Sequence, residues 1–388
     1  MKPSKKTLLA FGLMLIVLAA GRSAIAAQSS GGEATCEATC GGNSSGCATC
    51  GATSKSEGCA TCAADCQTAD DRLLPCCDND PVIENCRQCL KDLCETCKCC
   101  TWKAEASVLI MHRSSAGSPP VLLDSASGAN LFDTSSFGFP HAAGPRISLT
   151  ALDCEGWGVE FNYFGIDGWD ATADFPNASF PSGAANLVVD SVTQITLTDA
   201  HFESTARLYS AESNFRKPLF GNLSFLAGFR WLQLMDKYVA QGTSATTGNV
   251  ASESILTHNN LYGLQIGADG PLAKEDNRWR INGFVKAGIF LNNADQATSL
   301  SDPGGLGDLA VNNNHIAATF FGETGIVGYF QITKHLAASG GYQVMFVNGV
   351  AQPANQLSGT DLANSTAKLD FGSSLFYHGA TAGLELTW

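Results

Sequence analysis

From Trp102 onward, the sequence consists of segments of about ten residues in which apolar and polar side chains alternate, separated by Gly, Asn, Asp and Pro. A period of two places successive side chains on opposite faces of a β-strand. In residues 279–292, one face carries Trp279 and Val285 while the other carries Arg280 and Lys286. The pattern predicts an all-β fold with strands near residues 102–111, 145–154, 157–166, 202–213, 222–235, 259–269, 279–292, 316–331, 335–347 and 374–388. A further pair within 187–198 would raise the number of strands from about ten to twelve, which is the alternative.

The connections between the predicted strands alternate in length. Short links lie at residues 153–156, 214–221, 270–278 and 333–335, and long links at 112–144, 167–201, 236–258, 293–315 and 348–373. Tight turns at one end and long loops at the other are typical of a transmembrane antiparallel up-and-down β-barrel of the outer membrane. A closed barrel also leaves no backbone N–H or C=O group unpaired in hydrocarbon.

The stretch "TAGLELTW", residues 381–388, alternates to its last residue. Its order of polar, Gly, apolar and aromatic residues at Thr381, Gly383, Leu386 and Trp388 resembles the C-terminal signal that delivers bacterial outer-membrane proteins to the barrel-assembly machinery. We therefore expect it to be the closing strand, with Trp388 in the aromatic girdle at the periplasmic interface. The alternative is the last strand of a secreted soluble β-protein.

Residues 1–26 have the features of a cleaved signal peptide. Lys2, Lys5 and Lys6 precede the apolar run Leu8–Ala20, and small residues follow at Ala24 and Ala26. The apolar run is shorter than the ~20 residues that a membrane-spanning helix needs. The sequence therefore predicts export, with a cysteine-rich irregular segment at 27–100 in the periplasm and the barrel at 101–388.

Cysteines dominate the segment that precedes the barrel. Fifteen of the 16 cysteines lie between Cys36 and Cys100, and Cys154 lies apart from them in a short link. Disulfides are favoured because an exported segment meets an oxidising compartment, and zinc or an iron–sulfur cluster is the alternative for Cys-x-x-Cys pairs. No cofactor is predicted, and haem attachment is excluded because no Cys-x-x-Cys is followed by His. The disulfide candidates are Cys36, Cys40, Cys47, Cys50, Cys59, Cys62, Cys66, Cys76, Cys77, Cys86, Cys89, Cys94, Cys97, Cys99, Cys100 and Cys154.

An odd number of cysteines cannot pair completely within the segment. One thiol must bond to Cys154, bond to another molecule or stay free. The hypothesis is a disulfide-rich tether that joins the barrel to neighbouring envelope proteins or to its own copies, with Cys154 as a docking point.

Seven blocks carry a resemblance to a known family: "AGPRISLT", "GWGVEFNYFGIDGW", "LAGFRWLQLMD", "NLYGLQIGA", "FFGETGIVGYFQIT", "GYQVMFVNGVA" and "YHGATAGLELTW". In this order they resemble the planctomycete outer-membrane β-barrel protein family, over residues of about 102–388. The resemblance implies a barrel in the cell outer membrane. It implies no substrate or reaction, and says little about the cysteine-rich segment.

Charged residues on the predicted strands are expected to line the lumen, because an outward Arg or Lys near the bilayer midplane costs ~2–4 kcal/mol. A barrel of about ten strands has a lumen little wider than its own side chains, so we expect these charges to pair and fill it. The predicted function is therefore a structural or envelope-anchoring barrel, with a narrow or gated small-solute pore as the alternative. The predicted lumen charges are Lys103, Glu105, Arg146, Glu160, Glu203, Arg207, Arg230, Arg280, Lys286, Glu323 and Glu385.

Two further function classes are disfavoured. The formal net charge of -13 and a pI of about 4.9 leave no basic run to bind nucleic acid beyond the first six residues. None of the seven histidines lies in a known catalytic motif, so no enzyme and no metal site is predicted.

Overall fold

The computed structural model describes residues 101–388 except 117–118, 154, 177–178, 220–221 and 274–277. The predicted signal peptide, the cysteine-rich segment and Cys154 lie outside the described residues. The described strands, in chain order, are β1 (Thr101–Ala116), β2 (Pro120–Asp124), β3 (Asn130–Asp133), β4 (Ala142–Leu152), β5 (Gly158–Phe175), β6 (Ala185–Val188), β7 (Gln194–Leu197), β8 (Ala200–Pro218), β9 (Ser224–Thr243), β10 (Val250–Pro271), β11 (Trp279–Asp302), β12 (Gly307–Gln331), β13 (Leu336–Val350), β14 (Thr360–Asp361), β15 (Thr366–Ala367) and β16 (Ser373–Thr387).

Two short 3₁₀ turns, Thr134–Ser136 and Pro353–Gly359, are the described helical elements. Among the residues described, no helix has the length and apolar character needed to cross a membrane.

Ten of the strands close into an antiparallel up-and-down barrel, in the order β1-β16-β13-β12-β11-β10-β9-β8-β5-β4. This confirms the predicted fold class and strand number. Following paired residues once round the barrel from Lys103 leads back to Ser115, twelve residues farther along β1. That stagger tilts the strands by ~40° to the barrel axis, as closed barrels require.

The four short connections at 153–157, 219–223, 272–278 and 332–335 lie at one end of the barrel, together with Thr101 and Trp388. We call this the turn end, and the opposite end the loop end. At the loop end, two connections were predicted wrongly. Residues 236–258 and 293–315 are not long loops, because β9 to β12 continue through them and join by residues 244–249 and 303–306 alone.

The twelve-strand alternative is also wrong. The segment 187–198 forms β6 and β7, which belong to a separate four-stranded sheet of order β3-β2-β6-β7. This sheet is built from the two long connections that follow β1 and β5, and is not part of the barrel wall. Short strands with turn signals can pair wherever an edge is available, which the alternation alone does not reveal.

A single bulge shifts the inward–outward alternation of β5 by one residue. Gly168 has φ of 95°, a conformation that favours glycine, and it lies where the pairing with β8 shifts between Asp167 and Trp169. The extra residue turns Trp169 into the barrel, where its side chain is fully buried and Nε1 donates to the Met111 carbonyl at 3.1 Å.

Candidate functional site

The outer surface of the turn-end half carries a belt of exposed apolar side chains. Leu264 and Ile289 are each 73% exposed, which would be costly in water at ~25 cal/mol per Å² of apolar surface. The belt runs round the barrel through Val108, Ile147, Val159, Phe215, Phe229, Leu264, Ile289, Ile326, Phe346 and Leu384. A continuous apolar belt on a closed barrel is the surface that contacts lipid hydrocarbon, so this half spans a membrane.

Aromatic side chains end the belt at the turn end. The rings of Trp279 and Phe330 lie 4.8 Å apart, and those of Trp157 and Phe215 lie 5.5 Å apart. Trp388 extends the closing pair of strands, because its N–H donates to the Trp102 carbonyl at 3.0 Å. Aromatic girdles of this kind mark the interface between hydrocarbon and water.

The predicted assembly-signal residues divide between the two faces of β16. Thr381 and Gly383 lie on the inner face, whereas Leu386 and Trp388 are exposed on the outer face.

Nine of the eleven predicted lumen charges lie on the inner face of the barrel. Glu203 and Arg207 do not, which corrects their predicted position. Both are exposed on the outer face of β8, and Arg207 Nε lies 3.5 Å from Asp167 Oδ1 with both side chains more than half exposed. They lie beyond the apolar belt, where an outward charge meets water instead of lipid and costs little.

Buried charges fill the lumen beside the belt. Lys286 Nζ lies 2.5 Å from Glu212 Oε1 and 3.4 Å from Glu160 Oε1. Arg230 NH1 lies 2.5 Å from Glu323 Oε2 and 3.4 Å from Glu212 Oε2. We call these five residues the charge network. Each cation faces two carboxylates, which compensates its desolvation.

Further pairs extend the charge network toward the turn end. Arg216 pairs with Glu160 and, at 2.6 Å, with Asp269, while Arg280 NH2 lies 2.8 Å from Glu385 Oε1. Here the chain leaves a cavity of about 150 Å³, which is lined by Lys103, Glu105, Arg146, Glu160, Arg280 and Lys286 among others. In this cavity, Arg146 NH1 donates to Gln343 at 2.7 Å and Glu105 accepts from Ser339 at 2.9 Å.

Sequence reasoning missed several interior charges. Glu212 and Arg216 share the inner face of β8, and the signal was available, because Phe215 and Tyr209 mark the opposite face. Asp269 and the buried pair of Arg113 with Asp236, 2.6 Å apart, were also missed. Arg113 and Asp236 lie in segments that the sequence predicts to be loops.

An apolar plug lies on the loop-end side of the charge network. Each of the ten barrel strands contributes at least one buried apolar side chain to it. Its members are Leu109, Met111, Ala142, Phe164, Ile166, Trp169, Ala206, Leu208, Leu232, Leu234, Leu261, Phe290, Phe321, Met345, Val347, Val350, Leu375 and Tyr377. These side chains are buried and form one cluster inside the barrel.

An outer cap closes the loop end. It consists of the connections at 119–141, 176–199 and 351–372, whose buried side chains form one cluster with inward residues of β8 to β12, such as Phe202 and Leu300. Backbone bonds hold the cap together and to the barrel: Ser191 N–H donates to Thr360 O at 3.0 Å within the cap, and Ala245 N–H, in the turn between β9 and β10, donates to Thr196 O at 2.8 Å.

Two carboxyl groups of the loop end behave in opposite ways. Hydrogen bonds from Ser182 and Ser127 hold the pKa of Asp124 well below its usual range. Burial, with Asp190 nearby, raises the pKa of Glu253 well above its usual range. Glu253 is fully buried, and within the described residues neither of its carboxyl oxygens has a hydrogen-bond partner. Its neutral form therefore suits the apolar cap.

The described histidines form no catalytic arrangement with serine. His201 Nδ1 lies 2.5 Å from Asp174 and His258 Nδ1 lies 2.9 Å from Asp295, both on the outer face, and no imidazole in the described chain bonds a serine hydroxyl. Over the same residues, no three His, Cys, Asp or Glu side chains are arranged to hold a metal ion.

Comparison with solved structures finds outer-membrane proteins. The protease OmpT of Escherichia coli matches with a TM-score of 0.47 and 11% identity, over 74% of this chain and 97% of that chain. The toluene transporter TodX of P. putida matches with 0.29 and 10%, over 74% and 89%. A FadL homologue of Pseudomonas aeruginosa matches with 0.23 and 9%, over 75% and 90%. Matches this distant carry no argument about the fold, which the strand pairing defines by itself. No protein-family profile and no curated protein matches the chain.

Proposed function

We propose that this chain is a sealed outer-membrane barrel that serves as a structural anchor in the envelope and does not conduct solutes. The observation that carries the proposal is the apolar plug, to which all ten strands contribute, between the charge network and the outer cap. A permeant solute would have to displace packed side chains at the plug and paired charges beside it.

The cavity at the turn end argues for the same conclusion. Its volume is about 150 Å³, and none of its lining residues belongs to the apolar plug. It is therefore a recess among the charges. Open aqueous channels are found in barrels of ~16 strands or more, whereas ten strands enclose little more than their own side chains.

We infer that the turn end faces the periplasm. Short turns on the periplasmic side and long connections outside are the habit of outer-membrane barrels. On β16, Leu384 and Leu386 point toward lipid with Trp388 at the rim, in support of the assembly-signal hypothesis for "TAGLELTW". Deletion of Trp388 is expected to lower the amount of protein that reaches the outer membrane. Normal levels of the shortened chain would contradict the signal.

We further infer that the barrel anchors the cysteine-rich segment. Residues 27–100 lead directly into β1 at Thr101, which starts at the turn end. Non-reducing electrophoresis of native envelopes is expected to show high-mass species that collapse to the monomer on reduction. A monomer with free thiols, or with stoichiometric zinc, would refute the disulfide tether and favour the metal alternative.

Planar-bilayer recording tests whether the barrel is sealed. The full chain is first checked for heat-modifiable migration on unboiled gels, which establishes that the barrel has folded. We expect no stable conductance from the native protein, because the plug, the charge network and the cap each block the lumen. Reproducible channels in the native protein would instead establish the gated pore.

A further inference from the structure

The cavity at the turn end is accessible to water and large enough for a small ligand. Among its lining residues, Arg280 and Asp269 have side chains that are 24% and 21% exposed, whereas those of Glu160 and Lys286 are 10% and 6% exposed. Water therefore reaches the cavity from the turn end, and the charge network forms its floor. Its volume of about 150 Å³ corresponds to ~five water molecules at ~30 Å³ each, so a ligand of a few non-hydrogen atoms fits.

Most charged side chains in the lining of this cavity are paired with one another. The ion pairs are those of Arg216 with Glu160 and Asp269, Lys286 with Glu160, and Arg280 with Glu385. Lys286 also pairs with Glu212 below the lining. These groups compensate one another's charge, so they do not call for a ligand.

Two cations of the lining have no carboxylate partner. Among the described residues, Lys103 Nζ forms no ion pair and no hydrogen bond, although the residue is partly buried. Arg146 NH1 donates to Gln343 Oε1 at 2.7 Å, and its guanidinium forms no ion pair with any described carboxylate. A neutral amide thus positions this guanidinium without compensating its charge. Uncompensated charge in a partly enclosed site is unfavourable, so both cations favour a bound anion.

The remaining carboxylate of the lining is held by hydroxyl groups. Ser339 Oγ donates to Glu105 Oε1 at 2.9 Å, and Tyr329 Oη donates to Glu105 Oε2 at 3.4 Å. Both hydroxyl donors stand on β12 and β13, whereas Arg146 stands on β4. One carboxylate cannot compensate two unpaired cations, so a positive charge remains in the cavity.

Two lining groups of opposite hydrogen-bonding character also lack partners. Thr381 is 6% exposed, and its Oγ1 has no hydrogen-bond partner within the part of the chain that the structure describes. The same is true of Asn282 Oδ1, which can only accept. The cavity therefore offers a hydroxyl donor and a lone acceptor beside its unpaired cations. A protonated oxyanion matches both, because its oxygens accept hydrogen bonds and its O–H group donates one.

We propose that the turn-end cavity binds one hydrogen phosphate ion. Lys103, Arg146 and Thr381 supply positive charge and donors to its oxygens, and Asn282 Oδ1 accepts from its P–OH group. The five non-hydrogen atoms of the ion fit the volume. Phosphate groups of membrane lipids are excluded as the source, because the cavity lies inside the barrel wall and is reached from the water at the turn end.

Calorimetric titration of the folded full chain tests the proposal. The protein is refolded in detergent micelles, and folding is verified by heat-modifiable migration. Sodium phosphate and sodium sulfate are then titrated separately at pH 7, with ionic strength held constant by sodium chloride. We expect one phosphate ion per chain, bound at least about fivefold more tightly than sulfate, which has the same tetrahedral shape but no proton to donate at this pH.

Matched variants locate the site. Lys103→Gln and Arg146→Gln each remove an unpaired cation, and each should weaken phosphate binding at least about tenfold, as expected for loss of a hydrogen bond to a charged group. Lys334→Gln removes an exposed cation at the same end of the barrel but outside the cavity, and it should change the affinity less than about twofold. Lys103→Gln breaks no ion pair, so this variant should retain heat-modifiable migration.

Three results would each overturn the phosphate site: absence of saturable binding, equal affinity for sulfate, or equal weakening in Lys334→Gln. None of them would affect the sealed barrel, which the bilayer recording tests separately.

Discussion

The turn-end half and the loop-end half of the barrel wall differ in which face of the sheet carries the apolar side chains. In the turn-end half, β10 points Leu264 and Ile266 outward and Gln265 inward. In the part of β9 to β12 that continues past the lipid belt to the loop end, which we call the outer extension, the same strand points Ser254 outward and Ile255 inward, like a strand of a soluble protein. The alternation continues without interruption, and the two patterns overlap at the apolar plug, where β11 places Phe290 inward between Ile289 and Leu291 outward.

This inversion determines what seals each half. Toward the turn end, where the inner face is polar, polar groups inside the lipid-facing half must satisfy one another, and buried ions do so in the charge network. Inside the outer extension, apolar burial is available, so the cap closes the barrel by packing. Loss of one charge should therefore cost more than loss of one cap side chain, because it leaves partners unpaired.

The largest effect is expected for Lys286→Leu. The substitution leaves Glu160 and Glu212 without their shared cation, and it should lower the free energy of unfolding by about 4 kcal/mol, within the ~3–5 kcal/mol known for broken buried pairs. Urea unfolding in vesicles of fixed lipid composition measures the loss. Adding Glu212→Gln should recover part of it, and a loss below about 1 kcal/mol would argue against a network that depends on this cation.

A smaller and more local effect is expected for Leu187→Ala. Leu187 is fully buried in the cap, so truncation should destabilise the cap by about 3 kcal/mol through lost burial and a residual cavity. Limited proteolysis of the loop end should become faster, while heat-modifiable migration of the barrel stays unchanged. If the variant lost both the protease resistance of the loop end and the heat-modifiable migration of the barrel, the two halves would not be stabilised separately.

Glu253→Gln should stabilise the cap, with an effect that grows with pH. Because burial raises the pKa of Glu253, the folded cap holds a proton that the unfolded chain releases near pH ~4.3. The native cap therefore loses stability as pH rises from about 4 toward the raised pKa, whereas the glutamine side chain of the variant has no proton to release. Proteolysis rates of the native and variant caps at pH 5 and pH 8 check this. A native cap that resists proteolysis better at pH 8 than at pH 5 would contradict the predicted loss of stability with rising pH.

The smallest effect is expected for Arg207→Ala. Arg207 and its partner Asp167 are both more than half exposed. The substitution should therefore lower the free energy of unfolding by less than ~1 kcal/mol. Unfolding measured beside Arg230→Ala gives the matched comparison, because Arg230 is fully buried between two carboxylates. Equal losses from the two would mean that Arg207 is not on the outer face.

Period-two alternation predicted the strands of the barrel. In β11 it assigned Arg280 and Lys286 to one face and Trp279 and Val285 to the other, and the structure has the same division. Connection lengths predicted the four turns of the turn end. These features are local, because strand period and turn residues depend on neighbouring residues along the chain.

Only the tertiary structure showed where a charged face meets water outside the barrel instead of the lumen. Arg207 and Arg230 both stand in alternating strands, but one faces water outside the belt and the other faces two carboxylates inside it. Likewise, 293–315 lacks the outward apolar residues of a lipid-facing strand. Apart from the turn at 303–306 it nevertheless forms the paired ends of β11 and β12, whose outer face stands beyond the lipid. Alternation separates two faces, whereas height along the barrel depends on the register between strands, which is set by partners far apart in the sequence.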